Sequence, residues 1–241
     1  MSSTPDFQQP VFCGFRNADD LHAVLAGEIA ARLGSGVAQS GRASFVVSGG
    51  TTPGPLYDML SARAVPWTDV TVTLSDERWV DPTSERSNEH LIRTRLLVGA
   101  AAQAQFVPLK TMHLHAAEAE PHADSALSAM PRPFDVVLLG MGDDGHTASL
   151  IPGSVGLARA LDTTDAALAR AVDPPRSSAM GERMTLTLRA LLDARWIALL
   201  IRGQAKLDAY RHALAGHDVD EAPVRAVLHQ AAVPVSVFWS D

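Results

Sequence analysis

The sequence is poor in cysteine. Cys13 is the one thiol in 241 residues, so no internal disulfide can form and no cluster of thiols can ligate a metal. This usage fits a reducing compartment. Basic residues are in deficit: 20 Lys and Arg stand against 27 Asp and Glu, a net charge of −7. Nucleic-acid binders usually carry the opposite excess, so no nucleic-acid partner is expected. A local basic patch for a small anion stays open. Long apolar runs are also missing. The longest, such as residues 196–201, fall far short of the ~20 residues that span a bilayer, so no membrane partner is expected. The opening stretch MSSTPDFQQP has neither a basic start nor an apolar core and does not read as a secretory signal. Together these absences predict a cytoplasmic protein.

What is present is ordinary globular material. Hydrophobic residues make up 46% and charged residues 20%, which excludes a disordered tail. At ~150 residues per domain the length suits one large domain or two small ones. No linker divides the chain, so a single domain over residues 1–241 is expected. A chain of this size buries about three quarters of its unfolded surface and needs no disulfide or metal to hold its core.

Short apolar, β-branched runs alternate with helical stretches. Residues 17–33 place Leu21, Val24, Leu25, Ile29 and Leu33 on one helical face, with Asn17 as N-cap and Gly34 as stop. Strands are predicted at 43–47, 70–74, 134–139, 184–188, 196–201 and 233–239, and helices at 88–97, 189–194 and 204–214, the last closed by Gly216. Residues 154–178 read as surface loops with a short helix. Near-continuous apolar strands separated by helices predict an α/β fold: a Rossmann-like, mainly parallel sheet with helices on both faces.

In such a sheet ligands bind beyond the carboxyl ends of the strands, and four of these places are polar and dense. After the strand ending at Val47 comes Ser48-Gly49-Gly50-Thr51-Thr52-Pro53. Its glycines let backbone N–H groups approach an anion, Thr51 or Thr52 can cap the next helix, and Pro53 suits the first turn. A plain tight turn explains these residues equally well. It is neither a dinucleotide fingerprint nor a P-loop. After Leu74 comes Ser75-Asp76-Glu77-Arg78. Arg78 suits a phosphate or a developing oxyanion and Asp76 could orient another group; alone, the run would read as a solvated turn. Asn88, nearby, reads first as a helix cap and second as a ligand-binding side chain.

The third place, residues 140–152, follows the clearest strand. Three glycines in six residues, Gly140, Gly142 and Gly145, can present Asp144 and His146 together. Histidine alone titrates near neutrality unperturbed, so it can serve as base and then acid. A neighbouring carboxylate can fix its tautomer. Of nine histidines, His146 alone sits in a glycine-rich loop after a buried strand. One His with one Asp lacks the third ligand of a recognisable metal site, so no metal is expected. The fourth place pairs Arg183 with Lys206, cations that could meet an anion at the sheet edge.

In this order the pieces resemble the 6-phosphogluconolactonase family. The matching residues are Ser48-Gly49-Gly50 with Pro53, Asp76-Glu77-Arg78 with Val80, Ser87-Asn88, the Asp-Gly-His-Thr-Ala-Ser-Leu core of residues 144–150, the run starting at Arg183, and Lys206. The resemblance extends from about Phe12 to Trp239. It implies hydrolysis of 6-phospho-D-glucono-1,5-lactone in the oxidative pentose phosphate pathway, with neither organic cofactor nor metal, on the α/β fold shared with glucosamine-6-phosphate deaminase and ribose-5-phosphate isomerase. The deaminase is the rival reading. By similarity it opens its sugar ring with a carboxylate five residues after the loop histidine, where this chain has Ile151, which cannot move a proton. Residues 151–153 read Ile-Pro-Gly where many lactonases have Phe-Pro. A non-catalytic sugar-phosphate sensor is the other alternative, disfavoured by the intact Asp-His pair.

The expected site therefore has His146 as base, Asp144 or Asp76 holding its ring, and Arg78 at the oxyanion or the phosphate. Ser48, Gly49, Gly50, Arg183, Lys206 and Asn88 are the expected substrate-binding residues. No Ser or Cys sits in a nucleophile elbow, so no covalent intermediate is expected. No heptad or broad apolar stripe is evident, and a monomer is expected.

Overall fold

The computed structural model describes residues 9–175 and 181–241. Branched apolar residues build the centre. Strands β1 (Val11–Phe15), β2 (Ala43–Val47), β3 (Val70–Leu74), β5 (Gln105–Val107), β6 (Val136–Leu139), β9 (Ile197–Arg202) and β10 (Val235–Ser240) form a seven-stranded sheet in the order β1-β10-β9-β6-β2-β3-β5. Every pairing in it is parallel. All residues of β2 and β6 are buried, as a sheet covered on both faces requires. The α-helices among the described residues are α1 (Ala18–Ser40), α2 (Gly54–Ser61), α3 (Asn88–Arg95), α4 (Glu120–Ser128), α5 (Leu157–Leu161), α6 (Leu188–Leu192), α7 (Gln204–Ala215) and α8 (Arg225–Leu228), with short 3-10 turns at Trp67–Asp69, Gly99–Gln103 and Ala116–Ala119.

The expected mainly parallel α/β architecture is thus present, with one addition. Strands β4 (Asp76–Arg78), β8 (Arg183–Leu186) and β7 (Ala169–Val172) make a separate antiparallel sheet, order β4-β8-β7. Its register sets Asp76 opposite Thr185 and Arg78 opposite Arg183. The alternating 184–188 pattern marked a strand correctly but ends at Leu186, because Thr187 turns to cap α6 by accepting from the Ala190 N–H.

Other boundaries moved for physical reasons. Asn17 does cap α1, accepting from the Asp20 N–H at 2.8 Å. Gly34 does not end it, since one helical glycine costs only ~1 kcal/mol and the helix runs on to Ser40. Gly41, at φ +73, closes it by bonding back to the Val37 carbonyl. Val24, read onto the apolar face, is exposed, while Leu21, Leu25, Ile29 and Leu33 are buried. Neither Thr51 nor Thr52 caps α2; Pro53 holds the cap position with no side-chain bond. Ser87, whose Oγ accepts from the His90 N–H, caps α3, and Asn88 is its first residue. Residues 154–178 hold α5 and also β7; positions 176–178 lie outside the described residues.

The chain runs from β2 outward through β3 to β5, then returns to place β6 on the other side of β2, with β9 beyond it. That reversal between β2 and β6 opens a crevice past their carboxyl ends. Since β9, β6, β2 and β3 are contiguous and parallel, their following loops stand side by side.

Candidate active site

A cavity of about 300 Å³ occupies that crevice. Ser48, Gly49 and Gly50 line it from β2, Asp76 and Arg78 from beyond β3, Gly140, Met141, Gly142 and His146 from beyond β6, and Lys206 from α7. Asn88 and Arg183 complete the wall. Every residue expected at the site from the sequence borders this space except Asp144, which stands behind His146.

The loop after β6 is folded by its own backbone. Gly142 N–H donates to the His146 carbonyl at 2.8 Å, Gly145 N–H to the Gly142 carbonyl at 3.1 Å, and Thr147 Oγ1 to the Gly140 carbonyl at 2.9 Å. His146 Nδ1 then lies 2.6 Å from Asp144 Oδ1, which also accepts the His146 N–H at 3.2 Å. A Cβ on Gly142 would stand 2.1 Å from His146 Nδ1 and 2.4 Å from Asp144 Oδ1, so only glycine leaves room for the pair. Hydrogen bonding from His146 holds the Asp144 carboxyl at about 2, below its ordinary value, against partial burial. Ala148, also on the cavity wall, has φ +50 and is the only positive-φ non-glycine residue described. Such strain concentrates at functional sites.

The imidazole's partner is therefore Asp144. Asp76 is committed elsewhere: its carboxylate accepts from Ser75 Oγ at 3.0 Å and from Ser149 Oγ at 2.6 Å, and Arg183 Nη1 lies 3.7 Å away. Arg183 also donates to Ser149 Oγ at 3.3 Å. The Asp76–Ser149–Arg183 group ties the histidine loop to the small sheet. Burial pushes the Arg183 guanidinium below the usual arginine range; Asp76 counters this, and the nearby Arg78 and Arg86 add to it. Three guanidiniums thus face two carboxylates, Asp76 and Glu77.

Arg78 Nη1 donates to the Arg86 carbonyl at 2.8 Å. Lys206 Nζ lies 3.0 Å from Asp143 Oδ1, so the lysine reaches the histidine loop as well as the cavity. Asn88 Nδ2 donates to the Asp76 carbonyl at 2.9 Å, and its amide packs so closely on Gly49 that a Cβ there would collide at 2.0 Å. Gly49 is thus required by Asn88. The buried hydroxyl of Tyr57 donates to the Ser48 carbonyl and braces the start of the glycine turn.

Sequence reasoning missed two things here. Arg202, the last residue of β9, borders the cavity; a cation ending a buried strand beside the expected site was the available signal. Glu77, named only as part of the Asp76-Glu77-Arg78 run, has a role that the run does not show. Its buried carboxylate accepts the N–H groups of Arg78, Asn88 and Glu89 at 2.7–2.8 Å and Ser87 Oγ at 2.9 Å. It satisfies the free N–H groups at the start of α3. Burial nevertheless pushes its carboxyl above the ordinary value, against those four donors.

Residues 16–239 match the family model described as glucosamine-6-phosphate isomerases/6-phosphogluconolactonase. The chain belongs to this family. Within the family it is 42% identical to the 6-phosphogluconolactonase of Rhizobium meliloti (strain 1021) over 227 residues, 94% of this chain and 97% of that one. It is 44% identical to the 6-phosphogluconolactonase of Mesorhizobium japonicum over 227 residues, 94% and 93% of the two chains. The crystal structure of a 6-phosphogluconolactonase from Shewanella baltica OS155 superposes with a TM-score of 0.94 at 45% identity, covering 98% of this chain and 99% of that one. The family's two activities differ, by the resemblance drawn above, at the residue five beyond the loop histidine. Here that residue, Ile151, is buried and offers no carboxylate. No helix among the described residues is long and apolar enough to cross a membrane.

Proposed function

We propose that the protein hydrolyses 6-phospho-D-glucono-1,5-lactone to 6-phospho-D-gluconate, the lactone step of the oxidative pentose phosphate pathway. One observation carries the reading: a histidine on the wall of a cation-lined cavity has Nδ1 engaged by a carboxylate, which leaves Nε2 for substrate chemistry. The ionised Asp144 accepts from Nδ1–H, so Nε2 is the unprotonated nitrogen of the neutral ring. Nε2 takes a proton from water, and the oxygen attacks the lactone carbonyl carbon. Charge collects on the carbonyl oxygen, where Arg78 or a loop N–H stabilises it, worth ~3 kcal/mol per donor. Collapse breaks the bond from that carbon to the ring oxygen, and the imidazolium returns its proton to the ring oxygen. The phosphate rests on the backbone of Ser48, Gly49 and Gly50 with Arg183 and Lys206 supplying charge, and Asn88 contacts the sugar. Asp76 holds Arg183 and, through Ser149, the loop. We place this work in the cytoplasm of the cell and in a monomer.

Acid release from freshly made lactone tests the reading, with ammonia release from glucosamine 6-phosphate run in parallel. Lactone hydrolysis without ammonia release is expected, and His146→Ala lowers kcat by ~10²–10⁴ with little change in KM. Ammonia release would turn the assignment to the deaminase, and binding without turnover to a sensor. Near-wild-type kcat in His146→Ala would remove the base.

A further inference from the structure

Arg225, which no step above uses, is among the most deeply buried large side chains, at 1% exposure. A buried guanidinium is costly unless its donors are met. Here Nε donates to the Ala213 carbonyl at 3.2 Å, Nη1 to the Asp218 carbonyl at 2.7 Å and to Glu221 Oε2, and Nη2 to the His212 carbonyl at 3.5 Å. The arginine thus collects the carbonyls at the end of α7 and the turn that follows it. Gly216 makes the room: a Cβ there would lie 2.1 Å from Nη2.

The turn so gathered presses on the histidine loop. Val224 N–H, the residue before Arg225, donates to the Gly145 carbonyl at 2.9 Å. Ala222 sits where a side chain on Gly145 would be, its Cβ 2.7 Å from that position. Gly145, at φ +74, directly precedes His146. One buried side chain therefore determines the surface against which the loop is seated, and the same side chain grips the helix that carries Lys206.

We propose that Arg225 is a positioning residue for His146, acting through Val224, Ala222 and Gly145. The inference rests on His146 being the base. A purely structural role, as a cap on α7, would cost stability alone. A positioning role also costs turnover while substrate binding persists, since an ångström of misplacement at the reacting group lowers rates ~10²-fold.

Arg225→Lys keeps the charge but loses the planar fork that serves several acceptors at once. In the full chain, well below its unfolding temperature, it is expected to lower kcat by ~10–100-fold with KM within about twofold. Two readouts need no substrate: the NMR signals of the His146 ring move, and the Val224 amide exchanges faster. Gly216→Ala, which crowds the guanidinium from the other side, repeats the pattern if Arg225→Lys folds poorly. Ile29→Ala, a core cavity on α1, serves as a destabilised control and keeps kcat and the His146 signals. Wild-type kcat in Arg225→Lys with His146 and Val224 unmoved would overturn the proposal. If instead His146→Ala retained full activity, the base assignment would fail, and the ring and amide signals would still decide the mechanical link.

Discussion

Asp144 and His146 are two residues apart, and their geometry has a consequence in pH. The folded Asp144 carboxyl sits at about 2, below the ordinary 3.8, because the imidazole donates to its anion. A depressed carboxyl stabilises the fold at pH above its unfolded value, and that contribution is lost as pH falls toward the folded one. The stability difference between wild type and Asp144→Asn, measured by urea unfolding, should be followed from pH 5 downward. It should narrow below about pH 4 and close near pH 2. A difference unchanged from pH 5 to pH 3 would break the link. Gly142 offers a second residue-scale test. Its Cα faces the pair closely enough that Gly142→Ala must displace one partner. Turnover is expected to fall ~10²-fold with KM little changed, in steady-state kinetics of folded enzyme. The glycine spacing and the Asp-Gly-His run were legible without coordinates. That Asp144 rather than Asp76 meets the ring was not, because the choice depends on Ser75, Ser149 and Arg183 saturating Asp76, and Arg183 lies more than a hundred residues along the chain.

At the scale of elements, α3 is held by a carboxylate from outside itself. Glu77 on β4 accepts the first N–H groups of the helix while buried at 1% exposure. Bonds to a charged group are worth about 1.5–3 kcal/mol each net, so Glu77→Gln should lower unfolding stability by roughly that amount. Chemical denaturation checks it, and a loss below ~0.5 kcal/mol would mean that the cost of burying the carboxylate cancels its bonds to α3. Because α3 brings Asn88 to the cavity, KM should rise in the same variant. Helix α7 carries Lys206 to the cavity wall, where we propose that the phosphate binds, so Lys206→Ala should raise KM and narrow the preference for the phosphorylated over the unphosphorylated lactone. An unchanged preference would leave Lys206 as a tether for Asp143 only. Long periodic elements such as α1 and α7 were readable because burial repeats every turn. β7 was not, since Ala169–Val172 is four residues with a charge inside and gains its strand character only from pairing with β8. Gly34 misled because a glycine inside a well-packed helix and one that ends it look alike until Gly41 is seen at φ +73.

For the whole molecule, charge separates by location. The chain carries −7 overall, yet Arg78, Arg183, Arg202 and Lys206 converge on one crevice. An anionic substrate is then repelled by the bulk surface and drawn to the cavity, and salt screens both fields over ~10 Å at 0.1 M. KM for the lactone phosphate should rise as ionic strength goes from ~0.01 to ~1 M, with kcat changing less, in initial-rate assays at constant pH. A KM indifferent to salt would argue against electrostatic capture. The alternation of apolar strand and amphipathic helix, the polar residues crowding after each strand, and the loop chemistry of His146 are local properties. Residue order and solvent exclusion dictate them, so the sequence alone determined the α/β fold class and the identity of most cavity-lining residues. The order of strands, the antiparallel pairing that brings Arg183 to Asp76, and the seating of Gly145 against Ala222 and Val224 join residues remote along the chain. Only the packed fold decided these, because whether such groups meet depends on which burial and pairing the whole chain satisfies at once.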